Sequence, residues 1–369
     1  MSVSAADPPP DAALPLGGWR PEALAAALVA RGLRPGQARL AVQALATGWH
    51  RLGRPYADLV AEAPRAVRWL LPELVADEPV LDCVQDVRAA DGTRRLLFRL
   101  HDGAVVESVL IPASGASPRT TLCVSSQVGC ARRCAFCETG RLGLLRNLSA
   151  AEITAQARTA RRLWDADCGQ APPLSNVVFM GMGEPFDNLG AVADACAILT
   201  HDHAHGFSWR RITVSTVGVV AKIPTFFQTV RANLAVSLNA PDDVRRSQVM
   251  PINDRSDMAT LKAALQACLP PGRDVLIEYV LFDGWNDAMA DADLLRAWLD
   301  GLPVRLNLIP ANPGPDPKLR TPTREAVVAF QKHLLQQGVR AMVRWPHGRE
   351  VGGACGQLAG AQRAAAAQR

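Results

Sequence analysis

No window of this chain approaches the ~18 consecutive apolar residues that a membrane span requires, so no membrane association is expected. The start has no basic stretch followed by an apolar one. Met1 to Gly18 is rich in Ala, Pro and Asp, and a secretory leader is not expected. Charge is sparse at 20% against 49% hydrophobic residues, which excludes a disordered chain. Lysine is nearly missing: of 40 basic residues only Lys222, Lys262, Lys318 and Lys332 are lysines, and the remaining 36 are arginines. That excess matches a GC-rich coding bias and is given no functional weight. Finally, nothing calls for disulfide staples, because 369 residues bury a sufficient core without them. The nine cysteines are an odd count, a poor fit to a complete disulfide framework. The expectation is a cytoplasmic, reducing setting, where grouped cysteines serve metals or catalysis more often than disulfides.

Along the chain the hydrophobic period changes twice. Residues 1–18 read as a flexible tail. Residues 19–78 read as a small helical domain, with helical spacing in Pro21–Arg31 and Gln37–Thr47. Residues 79–118 hold short β-type runs, Val84–Arg88, Arg94–Leu100 and Ala104–Ile111. Asp91-Gly92 and Asp102-Gly103 separate them, and the expectation is a three-stranded antiparallel meander. From 119 to 360 strands alternate with helices. The strands are Thr121–Ser125, Val177–Met180, Ile212–Thr216, Leu234–Leu238, Val275–Leu281 and Arg305–Ile309, with a late strand at Arg340–Arg344. Six β/α units predict an α/β fold, a mostly parallel sheet closed or partly closed as a barrel, with its site at the C-terminal ends of the strands. Residues 361–369 read as a frayed tail. Arg119 to Asp165 carries eight Arg against three Asp or Glu, a local net charge of +5 that suits a polyanion such as RNA or, equally, a solvated helix face. His201, His203 and His205 alternate, which suits metal binding, but Gly206-Phe207 follows, and a surface loop is expected.

Cys130, Cys134 and Cys137 form C-x3-C-x2-C after the first barrel strand. Three thiolates at this spacing can hold three irons of a 4Fe–4S cluster and leave the fourth open to a small molecule. Spacing alone leaves a structural zinc site open as well. Gly181-Met182-Gly183-Glu184-Pro185 follows another strand end, where glycines permit close approach of the backbone to a ligand and a carboxylate can meet an ammonium.

Together these motifs resemble the radical S-adenosylmethionine superfamily, in which the open iron chelates S-adenosylmethionine and the reduced cluster cleaves it to a 5′-deoxyadenosyl radical. Longer stretches narrow the resemblance to the RlmN/Cfr family of radical SAM RNA methyltransferases: Thr121 to Cys130, Arg146-Asn147-Leu148, Pro251-Ile252-Asn253, Asn307 to Pro310, and Ala354 to Gly360. The likeness runs from about Val105 to Gly360. It implies a partial (β/α)6 radical SAM barrel with a helical N-terminal, RNA-contacting domain and an antiparallel β extension. It implies that Cys130, Cys134 and Cys137 are cluster ligands. Gly183, Glu184, Ser215, Ser237, Leu238, Asn239 and Asn312 would contact S-adenosylmethionine, two molecules of it per turnover. Cys355 would be the cysteine that becomes methylated, Cys123 its partner thiol in a transient disulfide, and Glu107 the proton acceptor.

The resemblance further implies methylation of an adenosine ring carbon, carbon 2 in 23S ribosomal RNA and also in tRNA, with an electron donor such as flavodoxin and a monomeric enzyme. The alternatives are carbon 8, a different RNA target, or a non-catalytic metal-containing RNA-binding protein. Two residues depart from the family pattern. Asn239 stands where the family has His, so it can hydrogen-bond but not carry charge. Glu138 follows the last cluster cysteine, where a small residue is usual. Arg132, Arg133, Arg141 and Arg146 flank the cysteines, so RNA phosphate could lie beside them. Cys83, Cys168, Cys196 and Cys268 occur outside any motif and read as packing.

Overall fold

The computed structural model describes residues 13–76, 81–113, 118–167 and 172–359. Ten strands form one continuous sheet. β1 (Leu81–Arg88), β2 (Arg94–Leu100) and β3 (Val105–Ala113) are the expected antiparallel meander. β3 pairs antiparallel with β4 (Arg119–Cys123), which opens the parallel series. β5 (Leu174–Phe179), β6 (Ile212–Thr216), β7 (Asn233–Ser237), β8 (Val275–Leu281), β9 (Val304–Pro310) and β10 (Ala341–Val343) follow in sequence order. Among the described residues β4 and β10, the ends of the parallel series, do not pair, so the barrel is partial. The parallel strands are near-continuous apolar runs because both faces are covered; Val275, Ile277, Tyr279 and Leu281 on β8 are fully buried.

Helices cover the outer face, among them α5 (Ala150–Asp167), α6 (Leu189–Thr200), α7 (Ile223–Thr229), α8 (Met258–Cys268), α9 (Met289–Leu299) and α10 (Arg324–Gln336). They are numbered after four N-terminal helices, α1 (Pro21–Ala30), α2 (Pro35–Ala46), α3 (Tyr56–Glu62) and α4 (Arg65–Leu74), which have a hydrophobic core of their own around Leu24, Leu28 and Leu71. α5 begins with a reciprocal cap: the Glu152 amide donates to Ser149 Oγ (3.2 Å) and the Ser149 amide to Glu152 Oε2 (2.8 Å).

The structure corrects three expectations. Residues 1–12 and 361–369 of the expected tails lie outside the described residues, as does Cys168, but 13–18 are not a tail. Leu14–Pro15 pairs with Val75–Ala76, Leu16 is buried, and Thr154 Oγ1 donates to the Gly17 carbonyl (2.7 Å). The histidine segment is not simply a surface loop: His205 is buried against His50, with Nδ1 of His50 3.0 Å from Nε2 of His205. The +5 segment is not one basic patch. Arg158 and Arg161 point inward from α5; Arg158 donates to the carbonyls of Trp49, Gly53 and Arg54 and stacks 4.0 Å over the Trp49 ring. Arg161 donates to the His205 carbonyl.

The His50–His205 pair therefore sits where the N-terminal helices dock on the core. Burial, reinforced by Arg158, His201 and Arg161, pushes His50 down to about 3, and burial beside His50 and the same arginines holds His205 well below the usual imidazole range. Both are neutral when folded, whereas the unfolded chain protonates them below about 6.5. The unfolded state thus binds more protons between about pH 3 and 6.5, and stability falls as pH drops through that window. For His50 alone the loss reaches about 2 kcal/mol by pH 5. Thermal melts at pH 7 and pH 5 are expected to show a smaller drop in a His50→Leu, His205→Leu double variant than in the wild type; parallel drops would refute the assignment.

Candidate active site

Behind the C-terminal end of β4, residues Val124 to Gln127 run through a polar network with almost no solvent. Ser125 Oγ donates to the Glu107 carbonyl (2.6 Å) and accepts from the Met182 amide (2.9 Å). Gln156 of α5 accepts from the Ser125 amide and donates to its carbonyl, 2.9 and 3.0 Å. Asn188 Nδ2 donates to the Ser126 and Leu148 carbonyls. Each buried polar atom named here has a partner, as a folded interior demands. The segment then enters an antiparallel hairpin, Gln127–Cys130 with Gly143–Asn147, which lies outside the strands predicted from sequence. Gly129 has φ 77° there, and a Cβ on it would lie 1.8 Å from the Gly143 carbonyl oxygen. Only glycine fits.

Cys130 ends this hairpin, and Cys134 and Cys137 follow in the loop it opens. The Arg132 amide donates to Cys130 Sγ at 3.5 Å, and Cys134 packs among Val249, Met250, Ile252 and Phe282. Soft thiol donors, an N–H bond to sulfur and an apolar wall suit an iron–sulfur cluster. Among the described residues no three Cys, His, Asp or Glu side chains converge as around a single ion; on a cubane the three sulfurs would sit on separate irons. Burial pushes Cys130 up to about 12 and raises Cys134 and Cys137, so these thiols are protonated at neutral pH without a metal, and a bound cluster would hold them as thiolates.

The glycine turn is packed against the Val124–Gln127 segment. The Ser126 amide donates to the Met182 carbonyl (2.8 Å) and the Glu184 amide to Gln127 Oε1 (2.8 Å). Glu184 is buried, accepts from the Phe186 and Val217 amides (3.0 and 2.9 Å), and is pushed up to about 7 by that burial. A buried carboxylate with amide partners but no cation is suited to receive one.

A cavity of about 180 Å³ at the C-terminal strand ends brings together Cys123, Cys137, Gly183, Glu184, Ser215, Ser237, Asn239, Asn312 and Cys355. Leu238 does not line it: it is buried, with its amide on the Glu278 carbonyl. Asn239 has φ 61°, a conformation Asn tolerates well, and its Oδ1 accepts from the Val280 amide (3.0 Å). Glu107 is fully buried and also off the cavity. It accepts from Arg95 Nη1 (2.8 Å) and from the Ala359 amide (2.9 Å), so it anchors the C-terminal loop.

That loop lies across the mouth. The Glu138 amide donates to the Gly356 carbonyl (2.9 Å), Thr139 Oγ1 to the Leu358 carbonyl (2.8 Å), and Asn312 Nδ2 to the Cys355 carbonyl (3.1 Å). Cys355 is exposed and Cys123 buried, and both thiols are free, so no resident disulfide joins them. Burial pushes Cys123 up to about 12, Cys355 adds to the effect, and Arg344 opposes it.

Sequence reasoning missed three residues. Arg344 lines the cavity beside both thiols, 3.9 Å from Glu278. Glu278 accepts from Ser215 Oγ at 2.8 Å; it is the one charge in the apolar run Val275–Leu281, a signal that was readable. Arg246 is fully buried and donates to the carbonyls of Val217, Ser237 and Leu238 and to Asn253 Oδ1. Of the flanking arginines, Arg132 is paired with Asp187, and Arg146 with Glu152 and Asp102. Arg133 and Arg141 are exposed, and the side chain of Glu138 lies 3.8 Å from Arg141.

Gly183 offers a sharp test. It has φ 104°, and a Cβ would lie 2.6 Å from Gln127 Cβ and 2.8 Å from Gln127 N. Gly183→Ala is expected to abolish S-adenosylmethionine binding by calorimetry while Gly190→Ala, which meets nothing within 4 Å, leaves it intact; equal binding by both would refute the packing argument.

Comparison with known proteins agrees with this geometry. Residues 124–296 match the radical SAM superfamily. A probable RNA methyltransferase of Sorangium cellulosum is 58% identical over 297 residues, 80% of this chain and 73% of that one. The dual-specificity RNA methyltransferase RlmN of an Anaeromyxobacter species is 42% identical over 360 residues, 96% of this chain and 91% of its own. A solved radical SAM methyltransferase from Sphaerobacter thermophilus superposes with a TM-score of 0.82 at 38% identity, covering 94% of this chain and 99% of that one. The cofactors that follow are an iron–sulfur cluster and S-adenosylmethionine, the substrate is RNA, and the zinc and non-catalytic readings fall away. The chain belongs to the RlmN family of radical SAM RNA methyltransferases.

Proposed function

We propose that this enzyme methylates carbon 2 of an adenosine in 23S ribosomal RNA, and of an adenosine in tRNA, through a methyl group carried on Cys355. The observation that carries this reading is the placement of Cys355 and Cys123 on one cavity with cluster residue Cys137 and with Glu184. An enzyme acting on a small molecule would need no such pair of thiols. Relatives named dual-specificity RNA methyltransferases support two classes of RNA substrate.

A 4Fe–4S cluster held by Cys130, Cys134 and Cys137, with two S-adenosylmethionine molecules per turnover, would supply an electrophilic methyl group and a hydrogen-abstracting radical. Glu184 would pair with the methionine ammonium, with Gly183, Ser215, Ser237, Leu238, Asn239 and Asn312 as further contacts. Cys355, exposed on its loop, accepts the methyl on sulfur. Loss of one hydrogen atom from that methyl, to the radical the cofactors would supply, lets its carbon bond to the adenine ring, which tethers RNA to the protein. Glu107 takes the ring proton; its second oxygen holds the Ala359 amide in this structure, so the C-terminal loop lifts before that step. The Cys123 thiolate attacks the Cys355 sulfur and releases methylated RNA, leaving a disulfide that an external thiol reduces. Arg344 is the cation that favours that thiolate. A one-electron donor such as flavodoxin completes the cycle, with the enzyme acting as a cytoplasmic monomer.

Mass spectrometry of ribosomal RNA and tRNA from cells with and without the protein is expected to show 2-methyladenosine only in its presence. 8-Methyladenosine instead would move the reaction to carbon 8. Cys123→Ala is expected to accumulate a covalent protein–RNA adduct, and Arg344→Met to slow adduct release roughly tenfold or more, about 1.4 kcal/mol of barrier. Free turnover by Cys123→Ala would remove its role.

A further inference from the structure

The N-terminal ends of the parallel strands form a second concave surface. One hollow of about 850 Å³ is lined by Arg210, Arg273, Arg305 and Arg340. A neighbouring hollow of about 310 Å³ shares Arg210 and Arg305 and adds Arg119 and Arg211. Six arginines thus line one end of the barrel, and Asp274, paired with Arg305 at 2.8 Å, is the only acid lining either hollow among the described residues. These positions are scattered from 119 to 340 in sequence, so the patch exists only once the barrel has formed.

The N-terminal face of a β/α barrel ordinarily serves packing, and like charges gathered there repel. The guanidinium groups are nevertheless held side by side. Those of Arg273, Arg210 and Arg231 lie 4.4, 4.7 and 5.8 Å from the Trp209 ring, whose π face attracts cations. Arg211 Nη1 donates to Asn176 Oδ1 at 3.2 Å. Guanidinium groups match phosphate oxygens in bidentate fashion.

We infer that this basal hollow binds the phosphodiester backbone of the RNA substrate, at a contact separate from the catalytic mouth. An acidic protein is the lesser fit. The lining of the larger hollow is Arg, Asn, Gln, Pro, Gly and Asp274 around half-buried Trp209 and Leu269, and none of them is an exposed large apolar anchor of the kind a protein interface presents. An electron donor docked here would also stand a full strand away from the cluster; β8, at seven residues, is roughly 20 Å long. A folded RNA is large enough to reach both ends of the barrel, whereas a short oligonucleotide is not. The contact carries affinity and orientation without reading bases.

The inference rests on RNA being the substrate, and the test separates the two. Binding of protein-free ribosomal RNA to the holoenzyme is measured by filter retention over a range of salt. Arg210→Gln/Arg273→Gln/Arg340→Gln is expected to weaken binding about tenfold or more and to flatten the slope of log K against log salt by about 2. Binding of an oligonucleotide that spans only the target nucleotide stays unchanged. Should the triple variant fold poorly, Arg340→Glu alone, at an exposed position, is expected to shift affinity and slope in the same direction. A variant with wild-type affinity and slope overturns the inference alone. Loss of reduction by flavodoxin with RNA binding unchanged overturns it in favour of an acidic protein. A wild-type enzyme that binds no RNA overturns the substrate assignment first.

Discussion

One buried guanidinium holds the catalytic end of this barrel in shape. Parallel strands that stop at a cavity leave carbonyls without partners, and water cannot reach them all. Arg246 gathers three such carbonyls, from Val217 after β6 and from Ser237 and Leu238 at the end of β7, and donates from Nη1 to Asn253 Oδ1. Burial lowers it only to about 10, so it stays charged at neutral pH. Asn253 in turn donates to the Asp243 carbonyl and Ser247 Oγ, which fixes the segment whose Val249 carbonyl receives the Ala135 amide of the cluster loop. Strand ends, cofactor turn and cysteine loop are thus linked through one side chain. A neutral residue there would leave several buried acceptors unpaired, each costing about 1–3 kcal/mol.

The second organising element is the C-terminal loop. Its ties around Cys355 run to the loop of Cys130 to Cys137 through Glu138 and Thr139, to the end of the barrel through Asn312, and to the β extension through Glu107. These ties explain why the β extension is joined to the barrel sheet: β3 supplies the carboxylate that fixes the far end of the loop carrying Cys355. They also put Glu107 in two settings. As observed it is a structural anchor with both oxygens engaged, and a proton-transfer role requires the loop to change position.

Much of this was legible in the sequence, and the reason is locality. β6 and β8 have the ends that hydrophobic period alone predicts, because each is an apolar run bounded by turn residues. The cysteine spacing and the glycine turn were equally legible, since each is a local requirement of the chemistry. What failed depended on distant partners. The Gln127–Cys130 hairpin has no alternating pattern, and its pairing strand lies beyond the cluster loop. Leu14–Pro15 is fixed by Val75–Ala76, and His205 by His50. Charge was the most misleading: the contiguous basic segment turned partly inward, while the six arginines of the basal hollows come from five separate stretches. Arg246 left no trace in composition or spacing, although its partner Asn253 belongs to a motif that carried the family resemblance.

The junction between the N-terminal helices and the barrel has a property that bears on how such a protein can change. Arg158 donates to the carbonyls of Trp49, Gly53 and Arg54, Arg51 to that of Ala204, Thr47 to that of His203 and Thr154 to that of Gly17. Each acceptor is a peptide carbonyl, which every residue type possesses. Substitution of the accepting residue therefore leaves these bonds in place so long as the backbone path is kept. The helices can vary most of their side chains, and with them whatever surface they offer to RNA, while their seating on the catalytic core depends on a few donors. Apart from the His50–His205 pair and the Arg158–Trp49 stack, the accepting side of this joint is set by backbone path more than by residue type.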